Sequence, residues 1–161
     1  MPKPSMPRRR VVTGLDADGQ SRILLDGSTP GHHTIGPNEI DILWRETALP
    51  PTLAAGVDSL DPAAIEQIHR EPPPGGLEWR VVSIPPTMPA APSEWHATPS
   101  IDFGIILSGE IELQLDREHV RLAAGDCIVQ RGARHRWVNH GPEPCVISFT
   151  NISARPADVV D

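Results

Sequence analysis

The chain has 161 residues, with 14 Lys and Arg against 21 Asp and Glu and a formal net charge of −7. That length holds one domain with a single core, and that charge excludes nucleic acid as a partner, because phosphate binding needs a basic patch. No apolar run approaches the ~20 residues that span a bilayer, and the N-terminus carries charge without the apolar run of a secretory signal. The expectation is a cytoplasmic protein without a membrane partner.

Nineteen prolines and 13 glycines point to a loop-rich β protein. Cys127 and Cys145 fall in strand-like runs without a metal-motif neighbour and read as buried free thiols. The chain has no tyrosine, so a tyrosine acid or base is excluded. The expected organisation is one domain: N-terminal strands and a Pro-rich connection over 1–76, a barrel core over 77–152, and a tail over 153–161.

Taken in order, Arg9 to Thr13 and Arg22 to Leu25 read as strands around the turn-rich GLDADGQ. Arg8, Arg9 and Arg10 read as a solvated terminus. A loop is expected from Asp26 to Asn38, with His32 and His33 in solvent. Glu39 to Arg45 alternates as a strand with Ile40, Ile42 and Trp44 on one face. The Pro-rich connection from Ala48 to Gly76 carries one short helix, capped by Asp61, started by Pro62 and ending near His69. Short strands follow at Leu77–Ile84, Trp95–Asp102, Phe103–Leu107, Glu110–Leu115, His119–Leu122, Cys127–Gln130, His135–Asn139 and Cys145–Thr150. Their regular spacing, with Gly and Asp turns between them, is the pattern of a sandwich or barrel. Trp44 and Trp79 are expected in the core.

The chemistry concentrates between Glu94 and Asn139. Side chains two apart on a strand share a face, which groups His96, Thr98 and Asp102, and likewise His135, Trp137 and Asn139. Two imidazoles and a carboxylate with open positions suit a divalent transition metal: Fe, Mn, Ni, Co or Zn. His96, Asp102 and His135 are the expected ligands, and Thr98 positions water or substrate. Trp137 either walls an apolar ligand or packs in the core. Arg80 either meets a substrate carboxylate or is ion-paired or solvated. His140 has the opposite parity to His135 and is set aside. The alternative is a hydrogen-bonded polar cluster in a metal-free barrel. No phosphate loop, G-x-S-x-G elbow, CxxC pair or helix-turn-helix competes.

His96, Asp102 and Gly109 fit the first motif of the cupins, with Thr98 at its second His position and Asp in place of Glu. Gly125, Gly132, His135 and Asn139 fit the second, with one residue fewer before the turn and Gln130 in place of a Pro. From Leu77 to Ser148 the chain resembles small bacterial and fungal single-cupin proteins related to polyketide-pathway cupins. The resemblance implies an all-β, double-stranded β-helix (jelly-roll) barrel and a homodimer that exchanges N-terminal strands. It also implies a metal-dependent enzyme of secondary metabolism acting on a small organic acid or polyketide-like substrate. Decarboxylase or lyase chemistry is placed ahead of an Fe(II)-dependent dioxygenase. The reading from another class is a non-catalytic barrel that binds a small ligand. In the enzyme reading, Thr98, Asp102 and Trp137 line the reacting centre.

Overall fold

The computed structural model describes residues 6–53, 58–60, 65, 68–87 and 94–155. Eleven strands in three sheets make up its regular structure. The largest sheet has six: β3 (Gly31–Ile35), β4 (Asn38–Glu46), β5 (Leu77–Ile84), β11 (Cys145–Ser153), β6 (Ser100–Ser108) and β9 (Cys127–Arg131), in that spatial order. Facing it is a sheet of β10 (His135–Val138), β7 (Glu110–Leu115) and β8 (His119–Ala123). β1 (Arg9–Leu15) and β2 (Ser21–Ser28) form a ribbon. This is the all-β jelly-roll barrel.

Alternation builds the layers. Along β6, Ser100, Asp102, Gly104 and Ile106 are buried, whereas Phe103, Ile105 and Leu107 face out. Along β11, Cys145, Ile147, Phe149 and Asn151 are buried. Ile84, Ile106, Ile147 and Phe149 from the large sheet meet Ile111, Leu113 and Trp137 from the small one in a single core. A second cluster holds Ile40, Ile42, Leu60 and Ile65. A side chain at Gly104 would strike the Phe149 ring, 2.7 Å from its Cβ, so glycine there lets Phe149 lie across the sheet. Gly109 links β6 to β7 with φ near +79°, in the left-handed region that L-side chains avoid.

Strand register stacks two inner rows. Arg45, Glu78, Asn151, Asp102 and Gln130 stand opposite one another across β4, β5, β11, β6 and β9. Ile42, Arg80, Phe149, Gly104 and Ile128 form the next row down. The barrel interior is thus apolar at its base and polar above Phe149.

Several expectations need correction. The loop expected from Asp26 to Asn38 contains β3, so His32 and His33 sit on a strand, with His32 bound to Asp41 at 2.8 Å. A register shift between Ile42 and Trp44 turns Trp44 away from Ile40 and Ile42 to pair with Trp79, which is 43 % exposed rather than core. An extra residue in a strand inverts every face after it. The arginine cluster is not a free terminus. Arg10 is buried, pairs with Asp58 and donates to the Leu43 carbonyl at 3.2 Å, while Arg9 meets Asp26 at 2.6 Å. Cys127 is exposed; only Cys145 is buried, and its thiol is pushed up to about 11 by burial. The short helix expected from Asp61 and Pro62 lies largely outside the described residues, and among those described near it Ile65, Ile68 and His69 are not helical.

Candidate functional site

The expected strand from Trp95 to Asp102 is broken. Regular pairing begins only at Ser100, and His96 makes one isolated bridge with His135. Each residue gives its N–H to the other's carbonyl, at 2.9 and 2.8 Å. The rings consequently lie 4.2 Å apart, tilted by 55°. His135 is buried and His96 partly exposed at the mouth.

Both imidazoles are fixed by backbone carbonyls. Nδ1 of His135 lies 2.8 Å from the Ala133 oxygen, and Nδ1 of His96 lies 3.1 Å from that of Glu94. A carbonyl only accepts, so each Nδ1 carries the proton and each Nε2 keeps a lone pair in the neutral ring. Burial pushes the His135 pKa below its ordinary value, and the charges of His96 and Arg70 act the same way; the Ala133 carbonyl and Asp102 oppose them. His135 is therefore a neutral proton acceptor at neutral pH. Its ring meets the edge of Trp137 at 5.8 Å, and Trp137 packs on Phe149 at 5.9 Å. Trp137 thus belongs to the core and also forms the floor beneath His135.

Asp102 is placed differently. It accepts the Ser100 hydroxyl at 2.7 Å, and Ser100 lies 2.8 Å from the Thr98 hydroxyl. All three are buried. Two Nε2 lone pairs suit a divalent transition metal, but the carboxylate is not brought to them. Among the described residues, no three His, Cys, Asp or Glu side chains form a group that holds a cation. As arranged, the residues supply two donors and do not fit a three-ligand centre. His140 points outward, 3.5 Å from Glu112.

Sequence reasoning did not single out Ser100, Glu78 or Asn151, although parity with Asp102 and Arg80 marks the first two. Glu78, 1 % exposed, pairs with both Arg45 and Arg80. Arg80 is 6 % exposed, and its Nε and the Asn151 Oδ1 have no hydrogen-bond partner among the described residues. Burial lowers the Arg80 pKa, whereas Glu78 and Asp102 raise it. Asn139, the last residue of the second motif, is fully buried; its side-chain amide donates to the Ile84 and Glu143 carbonyls, both at 2.9 Å, and accepts the Gly141 N–H at 2.8 Å. It is structural.

The fold is a two-sheet jelly roll with a polar mouth at which two histidine rings are neighbours. The cupin domain family Cupin_2 matches residues 80–153. The chain is 30 % identical over 158 residues to phomopsin biosynthesis cluster protein D of Diaporthe leptostromiformis, covering 93 % of this chain and 80 % of that one. It is 27 % identical to the cupin-domain-containing oxidoreductase virC of Hypocrea virens, covering 99 % of this chain and 84 % of the relative. The cupin domain of Schizosaccharomyces pombe Cnp3 superposes with a TM-score of 0.55 at 16 % identity, over 92 % of this chain and 89 % of that one, a likeness of fold alone. This chain belongs to the cupin family.

Proposed function

We propose that this cupin is an enzyme of secondary metabolism that forms an enolate from a small organic acid or polyketide-like substrate, in decarboxylase or lyase-type chemistry. The observation that carries the reading is the buried His135, held neutral with a lone pair on Nε2 above the Trp137 floor. Placement in secondary metabolism rests on the relatives, two of which are named for a phomopsin biosynthesis cluster.

In elimination or isomerisation, Nε2 of His135 accepts the proton alpha to a carbonyl, and the electron pair moves to the carbonyl oxygen. In decarboxylation of a β-keto acid, carbon dioxide leaves in place of that proton and the same enolate remains. Arg80 stands in the interior to meet the oxygen that gains charge, because its Nε–H is buried without an acceptor among the described residues. Trp137 and Phe149 exclude water beneath the reacting atoms.

A second reading is an oxidoreductase. Relatives carrying that name favour it, as do the two free Nε2 lone pairs. In that reading His96, His135 and Asp102 would hold iron or another divalent metal, which would supply the redox chemistry. Incubation with β-keto acids and aromatic polyketide fragments in deuterated water separates the readings. Carbon dioxide release or alpha-deuteration, lost in His135→Gln, supports enolate chemistry. Oxygen uptake supports the oxidoreductase, and binding without turnover supports a non-catalytic barrel.

We also propose a cytoplasmic homodimer. Phe103, Ile105, Leu107 and Val129, each at least 47 % exposed, form a contiguous apolar patch on the outer face of the large sheet. A patch of that kind marks an interface. Among the described residues no helix is long and apolar enough to cross a membrane.

A further inference from the structure

We infer that Arg80 and Asn151 form a two-point recognition site for a planar acid that carries a hydroxyl: the Arg80 Nε–H donates to an acid oxygen, and the Asn151 Oδ1 accepts from the hydroxyl. This names the substrate class of the site proposed above and rests on reading the barrel interior as that site.

The two atoms are complementary. Among the described residues, the Arg80 Nε–H has no acceptor and the Asn151 Oδ1 has no donor. Arg80 is 6 % exposed and Asn151 7 %, so bulk water serves neither. Buried polar groups are nearly always hydrogen-bonded, because an unpaired one costs its full desolvation. One atom here needs an acceptor and the other a donor. A bare carboxylate does not satisfy both, since it only accepts.

Strand register brings the two residues together. Arg80 stands opposite Phe149, and Asn151 lies two residues further along β11 on the same buried face, so the two are diagonal neighbours. Asn151 has Glu78 on one side and Asp102 on the other. The Arg80 guanidinium pairs with Glu78, and the charge of Asp102 acts on it as well. The guanidinium therefore reaches from the Phe149 row to the level of Asn151. Glu78 contacts it through Nη2 and is shared with Arg45, which leaves the Arg80 Nε for a ligand. Beneath lie the Phe149 and Trp137 rings, 5.9 Å apart, a surface on which a flat ligand packs. An aromatic hydroxy acid or the enol of a β-keto acid is planar and offers both an acid oxygen and a hydroxyl.

The test is calorimetric binding of benzoate and of its ortho- and meta-hydroxy and methoxy derivatives, none of which has to react. Wild type is expected to bind one hydroxybenzoate on the order of ten-fold more tightly than benzoate, the scale of one buried hydrogen bond. The methoxy derivative of the same isomer is expected to lose that preference. Asn151→Leu is expected to bind benzoate as wild type does and the hydroxybenzoate no better. Arg80→Lys keeps the charge but has no Nε–H, and is expected to weaken all the carboxylates by on the order of ten-fold. Equal wild-type affinities for hydroxybenzoate and benzoate, or no binding of either, overturn the inference. So does a hydroxyl preference that survives in Asn151→Leu, or an Arg80→Lys variant that binds as wild type does. If Asn151→Leu does not fold, the methoxy comparison in wild type decides. Hydroxybenzoate binding as expected, without carbon dioxide release or alpha-deuteration from β-keto acids, overturns the enolate chemistry and leaves this inference standing. Turnover without the hydroxyl preference does the reverse.

Discussion

His96 and His135 are joined through their backbones, and their rings are neighbours as a result. Each N–H meets the other's carbonyl, at 2.9 and 2.8 Å, and the centroids fall 4.2 Å apart. Removing a side chain leaves that bridge in place, but the two removals are not equal. His96 is partly exposed, and His96→Ala is expected to change stability by less than about 1 kcal/mol. His135 is 4 % exposed, donates to Ala133 and packs on Trp137. His135→Ala is expected to cost roughly 2–4 kcal/mol, from the cavity and the carbonyl left unpaired. Urea unfolding of both variants checks the difference. If His96→Ala is as costly as His135→Ala, the bridge depends on the rings after all.

Glu78 carries the second expectation. It is buried between Arg45, whose Nε donates to it at 2.8 Å, and Arg80, and pairs with both guanidiniums. Glu78→Gln keeps the volume and removes the buried charge that faces both guanidiniums. Breaking such a pair from one side costs about 3–5 kcal/mol. The exposed Arg9–Asp26 pair is the control, since Asp26→Asn is expected to leave the unfolding midpoint where it was. Equal midpoints for Glu78→Gln and the wild type refute the expectation.

The barrel was legible because alternation is a local property of a strand: apolar parity and Gly or Asp turns mark the strands from Leu77 onward, except that β6, one strand over Ser100–Ser108, reads from sequence as two pieces parted after Asp102. Pairing partners and bulges are not local. The shift after Ile42 that turns Trp44 outward depends on β5, about thirty-five residues away, and β3 was hidden by turn-forming residues around a short run. The site was half legible. Histidine spacing placed His96 and His135 together, but a serine carries no metal-binding signature, so the residue that occupies Asp102 passed unnoticed between two residues of the same parity. Arg80 shows the same limit: sequence left it between a substrate contact and an ion pair, and the Glu78 contact required the fold.

His33 gives a pH dependence. Burial pushes its pKa down; the charges of His32 and Arg45 act with burial, and those of Asp41 and Glu78 against it. The unfolded chain, where histidine titrates near ~6.5, therefore binds more protons at this position than the folded one. Stability rises with pH wherever the unfolded state holds the extra proton. The contribution is full above the unfolded pKa and is lost as pH falls from there through the folded pKa. Thermal unfolding between pH 8 and pH 5 is expected to show Tm falling on the acid side of neutrality, and His33→Gln is expected to flatten that fall. An unchanged slope in the variant rejects the assignment.

The outer face of the six-stranded sheet supplies the last expectation. Phe103, Ile105 and Leu107 project from one side of β6 because the opposite parity carries Asp102, Gly104 and Ile106 into the barrel. Val129 stands beside Phe103 on the neighbouring strand, and Trp79 lies in the same row beyond Thr150. The parity that builds the site thus also builds an apolar outer surface. A charge at its centre, Ile105→Lys, is expected to leave the monomer folded and the inner rows intact while abolishing self-association. Sedimentation of wild type and variant over a hundred-fold concentration range reads this directly. A dimeric wild type and a monomeric variant with the same far-ultraviolet circular dichroism place the interface on this face. A dimer that persists in the variant moves the interface elsewhere, and a monomeric wild type at every concentration removes the homodimer.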